Sequence, residues 1–322
     1  MDPQQSAHRH PPHGGRAGLM RPDAFAAVMA TGIVSIAAAD HGQNAVSAVL
    51  ATLATVAFLP LVVAVAMAWR RDSWSIREVD VSVGLMTYVA ACCVLAARLA
   101  DHRVAVWVLS GMALHGWLSL APMVIRNMAR LRWKGLRDRA RGAWELVSVA
   151  TSGLTLVSVD LGLVFAALIL WTLAMCIYGA MTGLVCWRAI HDPKTRRDVP
   201  PDTWILMGGA AIATLAGAHV HQALHPGPIA DVVRGVTLVT WMVATLWIVP
   251  LVLVGWRSIH AWPAVFPLGM YSAATFAMAG ETGWRWLTAV SLVFFWVALA
   301  AWLLTTARLL AISARFRALP DG

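Results

Sequence analysis

LGLVFAALILWTLAMCIYGAMTGLVCW, residues 161–187, runs for 27 residues without an Asp, Glu, Lys or Arg. A helix needs about 20 mostly apolar residues to cross a bilayer, so this run reads as a membrane span. Nine more charge-free runs lie to either side of it, at 24–39, 41–69, 81–97, 104–125, 146–159, 203–230, 235–256, 258–280 and 286–307. Over all 322 residues, 59% are hydrophobic and 13% are charged, and the mean hydropathy is +0.68. That is about half the charge of a soluble domain. The expectation is an all-α polytopic membrane protein with ten transmembrane helices. Soluble catalytic folds are excluded, and no enzyme activity is expected.

The net charge of +9 needs no nucleic acid to explain it. If the ten runs are spans, 21 of the 25 Lys and Arg residues fall on one side: the N-terminal segment, 70–78, 126–141, 188–201, Arg257 and the C-terminal segment. Only Arg98, Arg103, Arg234 and Arg285 fall on the other. This asymmetry follows the positive-inside rule and predicts cytoplasmic termini in a plasma (inner) membrane protein. Residues 1–20 are rich in Pro, His and Gly with no apolar period, and predict a disordered cytoplasmic tail. His8, His10 and His13 lie in it as solvated residues. Residues 21–310 form the membrane domain, and 311–322 a cytoplasmic C-terminal tail. No cleavable signal peptide stands out, because the first apolar run is followed by nine more. Cys92, Cys93, Cys176 and Cys186 all lie inside apolar runs and read as packing residues, not disulfides or metal ligands.

Short turns (DHGQN near 40–44, RLADHR at 98–103, DLG at 160–162, ETGWR at 281–285) join the spans into five antiparallel hairpins. The two members of each hairpin differ. Odd spans are rich in small residues, as in AFAAVMATGIVSIAAA (24–39) and MGGAAIATLAGA (207–218), whereas even spans carry Trp, Leu and Phe. Helical spacing puts Thr31, Ser35 and Ala39 on one face, Gly209, Ala213 and Gly217 on another, and Gly269, Ala273 and Ala277 on a third. Such stripes let helices pack closely, which explains many of them alone. Their confinement to odd spans predicts an inner ring of five odd helices, with five even helices outside it.

Two odd spans are short. Asp23 and Asp40 bracket 16 uncharged residues, and Glu145 and Asp160 bracket 14, so these acids sit near the hydrocarbon edges. Glu145 either faces a wet vestibule or pairs with Arg141, four residues earlier. The sharpest local feature is AWPAVFPLGMYSAATF (261–276). Pro267 has no N–H to give the helix and leaves a carbonyl near residue 263 unpaired, kinking or interrupting the helix. Phe266 beside it is a large ring among Gly, Ala and Ser. It is a core residue if that face packs, and a plug if that face lines a path, since apolar constrictions gate ions. His219, His221 and His225 cluster in AHVHQALHPGP. His221 and His225 have the four-residue spacing of a ligand pair, but no third ligand follows, so a polar mouth is the better reading. A proton-sensing role is open to His219 and His221. His115, in mid-span, is expected to hydrogen-bond between helices. No metal or cofactor is expected.

The segments PDAFAAVMATGIVSIAA (22–38), VATSGL (149–154) and VFPLGMYSAATF (265–276), on a ten-span chain, resemble the tellurite-resistance/dicarboxylate transporter family, which includes slow anion channels. The likeness covers about residues 21–310. It implies a homotrimer with a pore inside each protomer, five odd helices around that pore, and Phe266 with Pro267 as its gate. Related sequences often have Thr-Gln where this one has Thr151-Ser152. Candidate pore-lining residues are Thr31, Ser35, Thr87, Ser148, Thr151, Gly209, Thr214, Gly269 and Ser272. The hydroxyls among them offer weak donors to an anion. The implied partners are the bilayer and small anions: chloride, nitrate, sulfite, tellurite or malate-type C4-dicarboxylates, carried by a channel or uniporter-like exporter. The alternative is a proton-coupled C4-dicarboxylate transporter working through Asp40, Glu145, Asp160 or the histidines near 219–225.

Overall fold

The computed structural model describes residues 22–71, 74–192, 200–255 and 261–318, and among these there is no β-strand. The expected tail at 1–20 and the charges at Lys194, Arg196, Arg197 and Arg257 lie outside the described residues. The helices are α1 (Ala26–Asp40), α2 (Asn44–Arg70), α3 (Val79–Gly84), α4 (Met86–Arg98), α5 (Arg103–Arg130), α6 (Arg132–Arg139), α7 (Leu146–Asp160), α8 (Val164–His191), α9 (Trp204–Ala223), α10 (Pro228–Gly255), α11 (Trp262–Thr282) and α12 (Trp286–Ala318). Gly142–Glu145 and Pro201–Thr203 form 3₁₀ turns leading into α7 and α9.

Among the described residues, eight helical segments are long and apolar enough to cross a bilayer. The expectation of ten meets two exceptions. α1 has 15 residues, shorter than a hydrocarbon core requires. α11 has 21 residues, but its Pro, Gly, Ser, Thr and Glu dilute the hydropathy that length alone would supply. α3 and α4 count as one span broken at Leu85, where Gly84 packs against Pro22. The freed carbonyl of Gly84 accepts a bond from Thr87 Oγ1 at 2.7 Å.

Each buried helix packs on the exposed helix that follows it: α1 on α2, α4 on α5, α7 on α8, α9 on α10, and α11 on α12. The segregation of small from bulky residues becomes a segregation by burial. In the most apolar 18 residues of 79–98, 142–160 and 201–223, 83% are buried, against 22–33% in those of α2, α5, α8, α10 and α12. The buried helices also touch one another in a closed sequence: α1 on α4, α4 on α7, α7 on α9, α9 on α11, and α11 back on α1.

Close approach has named causes. A Cβ on Gly32 would stand 2.6 Å from Val94, one on Gly153 2.9 Å from Cys93, and one on Gly208 2.9 Å from Pro267. These glycines set the α1–α4, α4–α7 and α9–α11 distances. At the hairpin tips Gly42 and Gly162 are left-handed, with φ of 69° and 75°. In each tip the residue after the glycine bonds back into the finished helix at 2.8 Å, Gln43 N to Ala38 O and Leu163 N to Ser158 O.

Candidate functional site

Contacts on α11 orient Phe266. Ser272 exchanges hydrogen bonds with Ser291 of α12: each hydroxyl donates to the other's carbonyl, at 2.8 and 2.7 Å. Tyr271 Oη lies 2.8 Å from Thr245 Oγ1, and Trp241 Nε1 donates to Thr275 Oγ1 at 3.2 Å, both partners belonging to α10. These three side chains face the exposed helices. Pro267 meets Gly208 of α9, and Gly269 meets Ile33 and Val34 of α1. With about 100° between successive residues, Phe266, Met270 and Ala273 fall on the remaining side, between the contacts to α1 and α9. All three are buried, Phe266 completely. The helix continues through Pro267 rather than stopping there.

Most of the expected lining hydroxyls bond to side chains or carbonyls of the exposed helices. Thr31 Oγ1 accepts a bond from Trp302 Nε1 of α12 at 2.8 Å. Ser35 and Ser47 of α2 exchange hydroxyl-to-carbonyl bonds at 2.7 and 2.8 Å, a copy of the Ser272–Ser291 pair. Thr151 Oγ1 accepts from Trp117 Nε1 of α5 at 3.0 Å, and Thr214 Oγ1 donates to Thr240 Oγ1 of α10 at 3.0 Å. Gly209 lies against Tyr178 of α8 and the Glu145 carboxylate, and Gly269 against α1. These partnerships have a plain cause: a hydroxyl in an apolar span gains most from a polar atom on the next helix, and the exposed helices carry those atoms. Thr87 bonds within its own helix break, and among the described residues the buried Ser148 and Ser152 hydroxyls have no hydrogen-bond partner.

At the basic end, Glu145 is wholly buried, with Oε1 accepting from Thr182 Oγ1 of α8 at 2.6 Å and Oε2 without a hydrogen-bond partner among the described residues. It does not pair with Arg141. That guanidinium instead joins Asp202 Oδ2 at 2.7 Å through Nε and Asp80 Oδ2 at 3.5 Å through Nη1. Trp144 Nε1 also donates to Asp80 Oδ1 at 3.2 Å. This cluster was not visible in the sequence, because its members are about sixty residues apart; it ties the starts of α3, α7 and α9.

At the opposite end, His221 Nδ1 lies 2.6 Å from Glu281 Oε2, and Gln222 Nε2 donates to Glu281 Oε1 at 2.9 Å, joining α9 to α11. α9 ends at Ala223 before His225-Pro226, so His225 leaves the helix face that the four-residue spacing assumed, and it is exposed. His219 Nδ1 donates to Leu215 O at 2.9 Å. His115 is exposed on α5 and does not sit between helices. Arg98 donates to Ser35 Oγ and Ser47 Oγ, both at 2.8 Å, and His41 Nε2 lies 2.8 Å from Ser291 Oγ. Each serine pair thus carries a basic side chain. Asp40 is partly buried and Asp160 exposed at their helix ends.

A family model described as voltage-dependent anion channel matches residues 20–310. Two uncharacterized membrane proteins of Mycobacterium tuberculosis, from strains H37Rv and CDC 1551, are each 32% identical to this chain over 146 residues. The match covers 41% of this chain and 74% of theirs.

Proposed function

The chain belongs to the voltage-dependent anion channel family, and from that premise we propose that it conducts small anions along a path enclosed by α1, α3–α4, α7, α9 and α11, closed by the Phe266 ring. One observation carries this reading. The five most buried segments contact one another in a closed sequence, and Phe266 lies on the side of α11 turned away from every exposed helix. A phenyl ring there blocks by volume and excludes water from a narrow passage. Pro267 fixes the ring by holding α11 against Gly208.

The path is mostly apolar, because Thr31, Ser35, Thr151, Thr214 and Ser272 serve the seams between buried and exposed helices. Thr87 and Ser148 remain as lining hydroxyls. Weak donors suit a channel, which must release what it admits. All ten helical segments sit in the plasma membrane with cytoplasmic termini, and three protomers assemble, each with its own path. An inside-negative potential drives anions outward by about 2.3 kcal/mol per charge per 100 mV, so the protein exports. Chloride, nitrate, sulfite, tellurite and C4-dicarboxylates are the substrates to compare.

The test is current through purified protein in planar bilayers. Wild type should be nearly silent and Phe266→Ala anion-selective, with a conductance at least about tenfold higher, equal to about 1.4 kcal/mol off the barrier. Silence of both proteins, with dicarboxylate uptake driven by a proton gradient, would replace the channel by the coupled transporter.

A further inference from the structure

At the end away from the basic loops, the turns 40–44, 98–103, 160–163, 223–228 and 281–286 all lie within the described residues. There α9 and α11 are joined a second time. Their first junction is Pro267 on Gly208, near the start of each helix. The second is at their last turns, where His221 Nδ1 lies 2.6 Å from Glu281 Oε2. Gln222 Nε2 donates to Glu281 Oε1 at 2.9 Å, and Arg234 Nη2 of α10 donates to the Glu281 carbonyl oxygen at 3.0 Å. The side chains of His221 and Glu281 are 25% and 6% exposed, so salt and water screen this pair far less than a surface pair.

The geometry of this contact suits one protonation state. Although the two atoms are close, Nδ1 makes no aligned hydrogen bond. A neutral N–H gains little at such an angle, and a bare Nδ1 would set its lone pair against the carboxylate. An imidazolium and a carboxylate attract at any angle. The contact is therefore strong only with a proton added to the pair. Imidazole is the side chain that ordinarily changes charge between about pH 5 and 8. The other charges near this end of α9 leave Glu281 as the acid that faces His221. From α7, Asp160 interacts with His219 instead. α8 carries no charged side chain at this end, and α10 brings Arg234 and the exposed Asp231. His225 and Arg285, in the turns, are exposed.

We propose that His221 and Glu281 form a proton-binding clasp at the non-cytoplasmic mouth, which ties α11 to α9 when protonated and keeps the Phe266 ring seated in the path. The effect on conduction rests on the reading of Phe266 as a plug; the clasp itself does not. Phe266 and Glu281 lie on the same helix, so α11 is held at both ends while the proton is bound and only at Pro267 once it leaves. Acid on that side of the membrane shuts the path, and alkali frees the far end of the gate helix.

The test steps one face of a planar bilayer holding the purified full chain from about pH 8 to about pH 5.5, a range that spans the ordinary titration of imidazole. Acid on the His221 side should lower the residual wild-type current about tenfold, the size of one charge-assisted contact. The same step on the other face should leave it unchanged. His221→Gln should carry the larger current at both values. Phe266→Ala should conduct at both, and its silence would discard the plug while leaving the clasp to be judged by unfolding. That second readout is a double-mutant cycle of His221→Gln and Glu281→Gln on thermal unfolding. It should show a coupling of about tenfold in the unfolding equilibrium at about pH 5.5 and none at about pH 8. Coupling that is equal at the two values, or absent at both, overturns the clasp. So does a conducting Phe266→Ala beside a wild type whose current ignores pH on the His221 side.

Discussion

Phe266, Gly142 and His41 each expose a different kind of constraint on a single residue. Truncating a core Phe to Ala costs about 3–5 kcal/mol when the surroundings cannot collapse. A ring that plugs a passage has fewer partners to lose, so Phe266→Ala should lower thermal stability by less than that while raising conductance. Gly142 is packed onto the backbone of Asp202, at the carbonyl beside the carboxylate that holds Arg141. A methyl group there must displace main chain, so Gly142→Ala should destabilise by about 1–3 kcal/mol or more, read as an earlier melt in detergent. Burial lowers the pKa of His41 below the ordinary histidine value, and the hydrogen bond with Ser291 opposes that shift. A lowered folded-state value means that the unfolded chain binds the proton more readily. The stabilising share of neutral His41 is therefore complete above about pH 6.5 and fades as pH falls below it. Melting at pH 7.5 and pH 5 should differ less in His41→Gln than in wild type.

At the scale of elements, two hairpins are fastened by the same device. Ser35 with Ser47 joins α1 to α2, and Ser272 with Ser291 joins α11 to α12, each pair exchanging hydroxyl-to-carbonyl bonds. A double-mutant cycle on Ser272→Ala and Ser291→Ala should return a coupling of about 0.6 kcal/mol, with about 1.7 as the ceiling known for membrane helices. Strictly additive losses would mean that the two serines act separately. These pairs also mark the limit of what the sequence conveys. The alternation of small and bulky spans was legible, because burial and lipid exposure demand different residues. The direction of a hydroxyl within a small-residue stripe was not. Thr31 and Ser35 share a face whether that face meets a lumen or an outer helix, and only the positions of Trp302 and Ser47 decide between them. Glu145 was similarly ambiguous: the four-residue step from Arg141 suggested a local pair, but Asp202, sixty-one residues away, takes the guanidinium.

For the whole molecule, the channel reading makes a statement about driving force. The reversal potential of the Phe266→Ala current should follow the anion gradient and stay put when a pH difference is imposed across the bilayer. A reversal potential that moves with pH would call for proton coupling. The closed sequence of buried helices has another consequence, for biogenesis. α1 leaves the ribosome long before α11, yet one of its flanks is covered by α11 and α12, which begin roughly 230 residues later. At about 5–20 residues per second this is a wait of roughly 10–50 s. During that interval the small, hydroxyl-bearing surface of α1 has only its early neighbours for cover. A nascent chain halted before the α11–α12 hairpin would thus be an unclosed shell, vulnerable to quality-control proteases, and insertion of α11 would be the step that closes the ring.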